Sequence, residues 1–220
     1  MTPLPAIRRA DPRDAAQVSE LIAEAFEPLA VSRWLVPPAP DRARILPRYF
    51  RLLVDHALGA AEGVVWLVDG VAAAVWVPQT GMVPPPEPED YQARLAETCG
   101  PWVDRFRALD ALFGEHHPAT PHHYLEFLAV RPGSQGLGVG SRLLQQHQRG
   151  LDAAGWPAYL EAADPRSRAL YARHGYGEHG TGMMHLPDGG PPTWAMWRPA
   201  RQPQPARTAP YRRAEQPHAH

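Results

Sequence analysis

The sequence predicts one α/β domain built on a mixed sheet of about six or seven strands with helices on both faces. Two observations carry this. Asp69-Gly70 sits between two β-branched runs, 64–68 and 71–77, which is the pattern of an antiparallel hairpin. Residues 123–162 then read buried strand, glycine-rich turn, helix, buried strand.

The elements follow in order. Residues 6–10 form a short first strand, and Asp11-Pro12 reads as a helix cap followed by proline in the first turn. Val18, Leu21, Ile22, Ala25, Phe26 and Leu29 follow at helical spacing. A second helix is expected over about 41–57, with Pro47 either kinking it or marking its start. After the hairpin, Pro84-Pro85-Pro86 breaks the chain, and 91–113 is helical with an interruption at Gly100-Pro101. Residues 80–121 thus form a helical insert expected to cover one side of a cleft. An apolar strand at 123–130 carries one carboxylate, Glu126. A helix over 138–154 stops at Gly155, and a buried strand at 158–162 leads to a short helix at 165–174. Two final antiparallel strands are expected at 176–185 and 193–197. The domain spans 1–198. Residues 199–220 are rich in Pro, Arg, Gln and His and are expected to form a disordered tail, because they have little apolar surface to offset ordering entropy.

Composition narrows the function. Net charge is −1, which gives no electrostatic case for nucleic acid. No apolar run approaches the roughly 18 residues of a membrane span, and MTPLPAIRRADP has no apolar signal core, so a cytoplasmic location is expected. Cys99 is the single cysteine, so no internal disulfide can form, and nothing beside it suggests an activated thiol. His116, His117, His122 and His123 resemble a metal cluster in sequence. Neighbouring strand residues point to opposite faces, however, and no acid or Cys completes the set, so no metal is expected. His122 or His123 is instead a candidate for the wall of an acceptor cleft.

The chemistry concentrates in Gln135-Gly136-Leu137-Gly138-Val139-Gly140-Ser141. A glycine-rich turn at a helix N-terminus presents several backbone N–H groups to an anion. Without a single Lys in the chain this is no Walker A loop, and G-x-G-x-G does not match the dinucleotide fingerprint.

Gln135-Gly136-Leu137-Gly138-Val139-Gly140, following a strand that ends in Leu128-Ala129-Val130, resembles the acetyl-CoA loop of the GNAT (GCN5-related N-acetyltransferase) superfamily. The segment from Ala169 to Tyr176, ALYARHGY, resembles the LYxxxGF helix of the same superfamily. The two motifs occur in the family's order and spacing, and the close resemblance covers about 124–176. It implies the GNAT fold, with its two parallel strands splayed at the cofactor site. It also implies acetyl-CoA as co-substrate: the amides of Gly136, Gly138, Val139, Gly140 and Ser141 on its pyrophosphate, and the main chain around Leu128, Ala129 and Val130 on its pantetheine arm. Gln135 and Leu137 belong to the same loop. Arg131 and Arg142 are candidate phosphate partners. Asp164 stands where the family often has Asn, so it keeps an acceptor for a pantetheine contact and lacks the amide donor.

The resemblance further implies N-acetyl transfer to an amine by direct attack on the thioester. The acceptor is expected to be a small molecule, and a homodimer stays open. Tyr171 is the candidate general acid, against a plain core aromatic. Glu126 is the candidate base, against a structural ion pair or a water chain. Simple alternation puts Glu126 on the face of Val130, with Tyr124 one pair further back. Two alternatives stay open: a catalytically silent CoA-binding sensor or interaction module, and an acyltransferase using a different acyl-CoA.

Overall fold

The structure is a computed structural model that describes residues 6–60, 63–79 and 90–201. The proline run at 84–86, part of the expected insert and all but the first few residues of the expected tail lie outside them.

The sheet has seven strands: β1 (Arg8–Arg9), β2 (Val64–Val68), β3 (Ala72–Gln79), β4 (His122–Val130), β5 (Ala158–Ala162), β6 (Gly177–His185) and β7 (Pro192–Arg198). Their order is β1-β2-β3-β4-β5-β7-β6. Every adjacent pair is antiparallel except β4 and β5. That single parallel pair belongs to the strand, turn, helix, strand unit read from the sequence.

Among the described residues seven helices accompany the sheet: α1 (Ala15–Phe26), α2 (Ala30–Leu35), α3 (Ala39–Gly59), α4 (Tyr91–Cys99), α5 (Val103–His116), α6 (Val139–Ala154) and α7 (Pro165–Arg173). Asp11 and Asp14 form a reciprocal capping box over the 3-10 turn that leads into α1. Pro47 lies inside α3, and the helix runs through it. Its missing N–H leaves the carbonyl of Ala43 without an intrahelical donor. Nothing in the sequence pattern signalled α2, a six-residue helix between two proline-containing turns.

The core has two main halves. On one face α1, α3, α4 and α5 bury Ile22, Ile45, Phe50, Leu95 and Phe106 against Ala73, Val75 and Ala129. On the other, Leu143, Leu144 and Leu151 of α6 pack on Ala72, Ala74, Trp76 and Leu160. Helices therefore lie on both faces, as expected.

One local irregularity decides how the site is built. Val75 opposes Phe127, but the next residue, Trp76, opposes Leu125, so Glu126 is the extra residue of a β-bulge in β4. Leu125 and Leu128 pack on the α6 side, whereas Phe127 and Ala129 pack on the α1 side. Simple alternation would have put Leu125, Phe127 and Ala129 on one face. The expectation that Glu126 shares the face of Val130 is corrected accordingly. Val130 packs with the α6 core, while Glu126 feels the charge of Asp110 on α5. Tyr124 and Glu126 do stay close to one another.

Candidate active site

The two central strands part where the chemistry is expected. β4 and β5 pair only at His123–Ala158 and Tyr124–Tyr159. Beyond that point β4 has a free edge. The amide of Arg131 donates to Val71 O at 2.9 Å, so by strand alternation the main chain of Ala129 also faces β3. The polar groups of Leu128 and Val130 consequently face the gap.

Past β4 the loop is fixed by Gln135. Its Nε2 donates to Val130 O at 3.0 Å, and its Oε1 accepts from Arg166 at 2.9 Å. Gly136 and Gly138 have φ of 81° and 79°, in the left-handed region that side chains rarely adopt. Gly138 is the N-cap of α6, and no side chain caps that end. The first N–H groups of α6 therefore have no intrahelical acceptor and point out of the helix. This donor set fits a diphosphate. A Cβ on Gly140 would meet Leu170, Val130 and Leu128 at 3.5–3.7 Å, which shows how closely α6 starts against β4 and α7.

A cleft of about 750 Å³ runs from this loop, through the gap between β4 and β5, to the face covered by α1, α2, α3 and α5. Most of the cofactor residues read from sequence line it: Leu128 and Val130 on β4, then Gln135, Gly136, Gly138 and the first three residues of α6, with Asp164 and Tyr171. Two do not. Ala129 is buried on the α1 side, and Leu137 projects outward, 62% exposed. Asp164 is the N-cap of α7, its Oδ1 accepting from the amide of Ser167 at 2.8 Å. Arg131 donates to Glu24 at 2.9 Å and, like Arg142, lies off the cleft. Arg166 and Arg173 of α7 line it instead. The sequence could not separate these arginines, because their placement depends on how α7 docks.

At the gap sit two carboxyl groups. Glu126 and Glu161 each lie two residues past the last paired position, on β4 and β5. Glu126 Oε2 and Glu161 Oε1 are shielded from solvent and have no hydrogen-bond donor. The other Glu161 oxygen accepts from the Tyr124 hydroxyl at 2.8 Å. Burial, then the charges of Glu161 and Asp110, push Glu126 up to about 8. Burial pushes Glu161 up to about 7, against the hydroxyls of Tyr124 and Tyr159, which favour the ionised form. Sequence reasoning missed Glu161, although the signal was present: Tyr-Leu-Glu occurs in both strands, at 124–126 and 159–161. The parallel register places the two copies side by side.

Tyr171 on α7 is buried, lines the cleft and packs edge-on against Tyr176 at 5.9 Å. Burial, then Tyr176 and Asp164, raise its hydroxyl above the usual phenol range. It therefore holds its proton throughout neutral pH.

The histidines divide between the two faces. His122 is fully buried against Tyr159 and Trp197. His123 turns the other way, its Nδ1 3.2 Å from His147 Nε2. Neither lines the cleft, which corrects that expectation; His117 does. Burial lowers His117 to about 4, so it is neutral. No group of metal-ligating side chains occurs among the described residues. Cys99 is buried, and burial pushes its thiol up to about 12, so it is no nucleophile.

Known proteins share this fold. Residues 106–178 match the family model described as Acetyltransferase (GNAT) domain. The match begins inside the expected insert, so family likeness reaches further back than the two motifs. The matched segment, about a third of the chain, is similar to the GNAT acetyltransferase domain. Among solved structures it is similar to a Corynebacterium glutamicum protein described as histone acetyltransferase HPA2 and related acetyltransferase. That similarity is 28% identity with a TM-score of 0.64, covering 91% of this chain and 99% of that one. It shares its fold with the PaiA N-acetyltransferase of Thermoplasma acidophilum in complex with coenzyme A (10% identity, TM-score 0.54, 88% and 98% covered). It is also 30% identical over 136 residues to a mycothiol acetyltransferase of Streptomyces avermitilis, across 56% of this chain and 42% of the relative. The chain thus spans about two-fifths of that relative's length.

Proposed function

We propose that this protein is an N-acetyltransferase that moves an acetyl group from acetyl-CoA to the amine of a small molecule by direct attack on the thioester. One observation carries the reading. A single cleft joins an uncapped helix N-terminus, suited to a diphosphate, to a half-buried pair of carboxyl groups at the gap between β4 and β5.

The steps balance within these residues. The amine nitrogen forms a bond to the acetyl carbon, the C–S bond breaks, and the amine proton passes to the Glu126 carboxylate. Glu161, held by Tyr124, gives Glu126 a neighbouring carboxyl through which the proton can leave. The amide of Val130 faces the gap and can donate to the thioester oxygen as charge develops there. The Tyr171 hydroxyl supplies the proton that the departing thiolate needs.

The amine acceptor is expected among small molecules because the cleft reaches its chemistry inside the domain, between helices. Thermal shift with acetyl-CoA, then free-thiol release over an amine panel, tests the whole reading. Stabilisation followed by amine-dependent thiol release is expected. Stabilisation with no release on any amine would instead favour a sensor. Propionyl- and succinyl-CoA in the same assay test the acyl group, with acetyl expected to be preferred.

Tyr171→Phe tests the acid. The phenyl ring keeps the packing against Tyr176 and removes only the hydroxyl. Turnover should fall about 100-fold with CoA affinity nearly unchanged, the scale of one lost acid group. Full activity in that variant would assign Tyr171 to the core alone.

A further inference from the structure

The far half of the cleft has a chemistry of its own. Its wall is aromatic: Phe26, Phe50 and Phe127 meet edge to face, with centroids 5.2–5.9 Å apart. Tyr49, Leu109 and Phe113 continue the apolar lining. Where this wall meets the gap lie three carboxyl groups, those of Asp110, Glu126 and Glu161. Two of their oxygens, Glu126 Oε2 and Glu161 Oε1, are hidden and have no donor. A buried acceptor without a donor is costly and is satisfied by an incoming N–H.

Among the described residues no arginine lines this half. Among the described lining residues the only arginines are Arg166 and Arg173, both on α7 beside the cofactor loop, and the chain has no lysine. The lining histidines, His56 and His117, are both held toward the neutral form by burial.

We propose that the acceptor is a primary amine carried on a flat apolar body, with no carboxylate or phosphate of its own. The inference rests on the acyl-transfer reading of the same site. An amine brings N–H donors to the orphaned oxygens, and opposite charge, as its ammonium, to the carboxylates once the pair has lost its protons, while a planar body fills the space beside the aromatic wall. A carboxylate on the same molecule meets three acids and no cation. A polyhydroxylated body leaves hydroxyls against the phenyl rings of Phe26, Phe50 and Phe127, which offer them no strong partner.

The test compares four acceptors on the full chain at fixed acetyl-CoA, following free thiol. They are 2-phenylethylamine, ethanolamine, phenylalanine and glucosamine. kcat/KM for 2-phenylethylamine should exceed that for each of the others by about 100-fold, the scale of an apolar side group gained or of buried groups left unpaired. Asp110→Asn should raise KM for 2-phenylethylamine about tenfold, the scale of one partly screened charge contact, with kcat less affected. Phenylalanine or glucosamine used as well as 2-phenylethylamine would overturn the inference and leave amine acetylation standing. Calorimetric binding of 2-phenylethylamine to the CoA-loaded protein separates the remaining cases. Binding without turnover supports the pocket assignment and sinks the acyl-transfer reading, and absence of both binding and turnover sinks both.

Discussion

Gly138→Glu should abolish coenzyme A binding while the domain stays folded. Gly138 caps α6 with φ of 79°, and nothing lies within 4 Å of where its Cβ would be. The site is open, so the fold loses only the conformational penalty, about 1–2 kcal/mol for a side chain in the left-handed region. The ligand loses far more. A carboxylate placed where N–H donors converge repels a diphosphate and competes for the same donors. At a few ångströms that repulsion costs several kcal/mol at protein-surface dielectric, so affinity should fall by about 100-fold or more. Gly138→Ala carries the backbone strain without the charge and should lose much less. Calorimetry for CoA, with circular dichroism to verify folding, measures both. Unchanged affinity in a folded Glu variant would mean that the diphosphate sits elsewhere.

Glu126→Gln should cost about 10²–10⁴-fold in kcat with CoA affinity intact, because the amide keeps the shape and cannot take a proton. The pH profile supplies a second readout. With Glu126 near 8 and Glu161 near 7, the wild-type rate should climb from pH 6 to about 8.5 as the pair loses its protons. Those apparent values belong to the pair and not to either residue. The variant should lose the upper part of the climb. Stability moves in the opposite direction. The Glu126 carboxyl titrates near 4.5 in the unfolded chain and near 8 when folded, so between those values the folded state binds more protons. Stability must then fall as pH rises through that window. Glu126→Gln should flatten the fall. A variant with full activity and the wild-type pH dependence would remove Glu126 from the chemistry.

Much of the fold was legible because its signals are local. The Asp69-Gly70 hairpin, the helix cap at Asp11, the interrupted helix at Gly100-Pro101 and the glycine stop at 155 each follow from residues within a few positions of one another. The glycine loop was legible for the same reason, since its N–H donors belong to one contiguous stretch of backbone. Legibility failed where a residue's partner is distant in sequence. Alternation misplaced Glu126 because the bulge depends on how β4 registers against β3. Arg131 was matched with a phosphate and is held by Glu24, 107 residues away. Glu161 was overlooked because a lone acid on a buried strand gains meaning only beside its neighbour.

By itself the sequence determined the strands, every helix but α2, and the glycine loop with its helix, because backbone conformation and hydrophobic period are set by short stretches of chain alone. Glu126 stood out as a lone acid on an apolar strand, and Tyr171 through the resemblance of its segment to the GNAT motif. Only the tertiary structure decided that Glu126 and Glu161 face each other across the gap, that Asp110 joins them from α5, and that rings from α1, α3 and β4 close one wall. The physical reason is that burial and charge proximity arise between segments, and both depend on distances that no single segment contains.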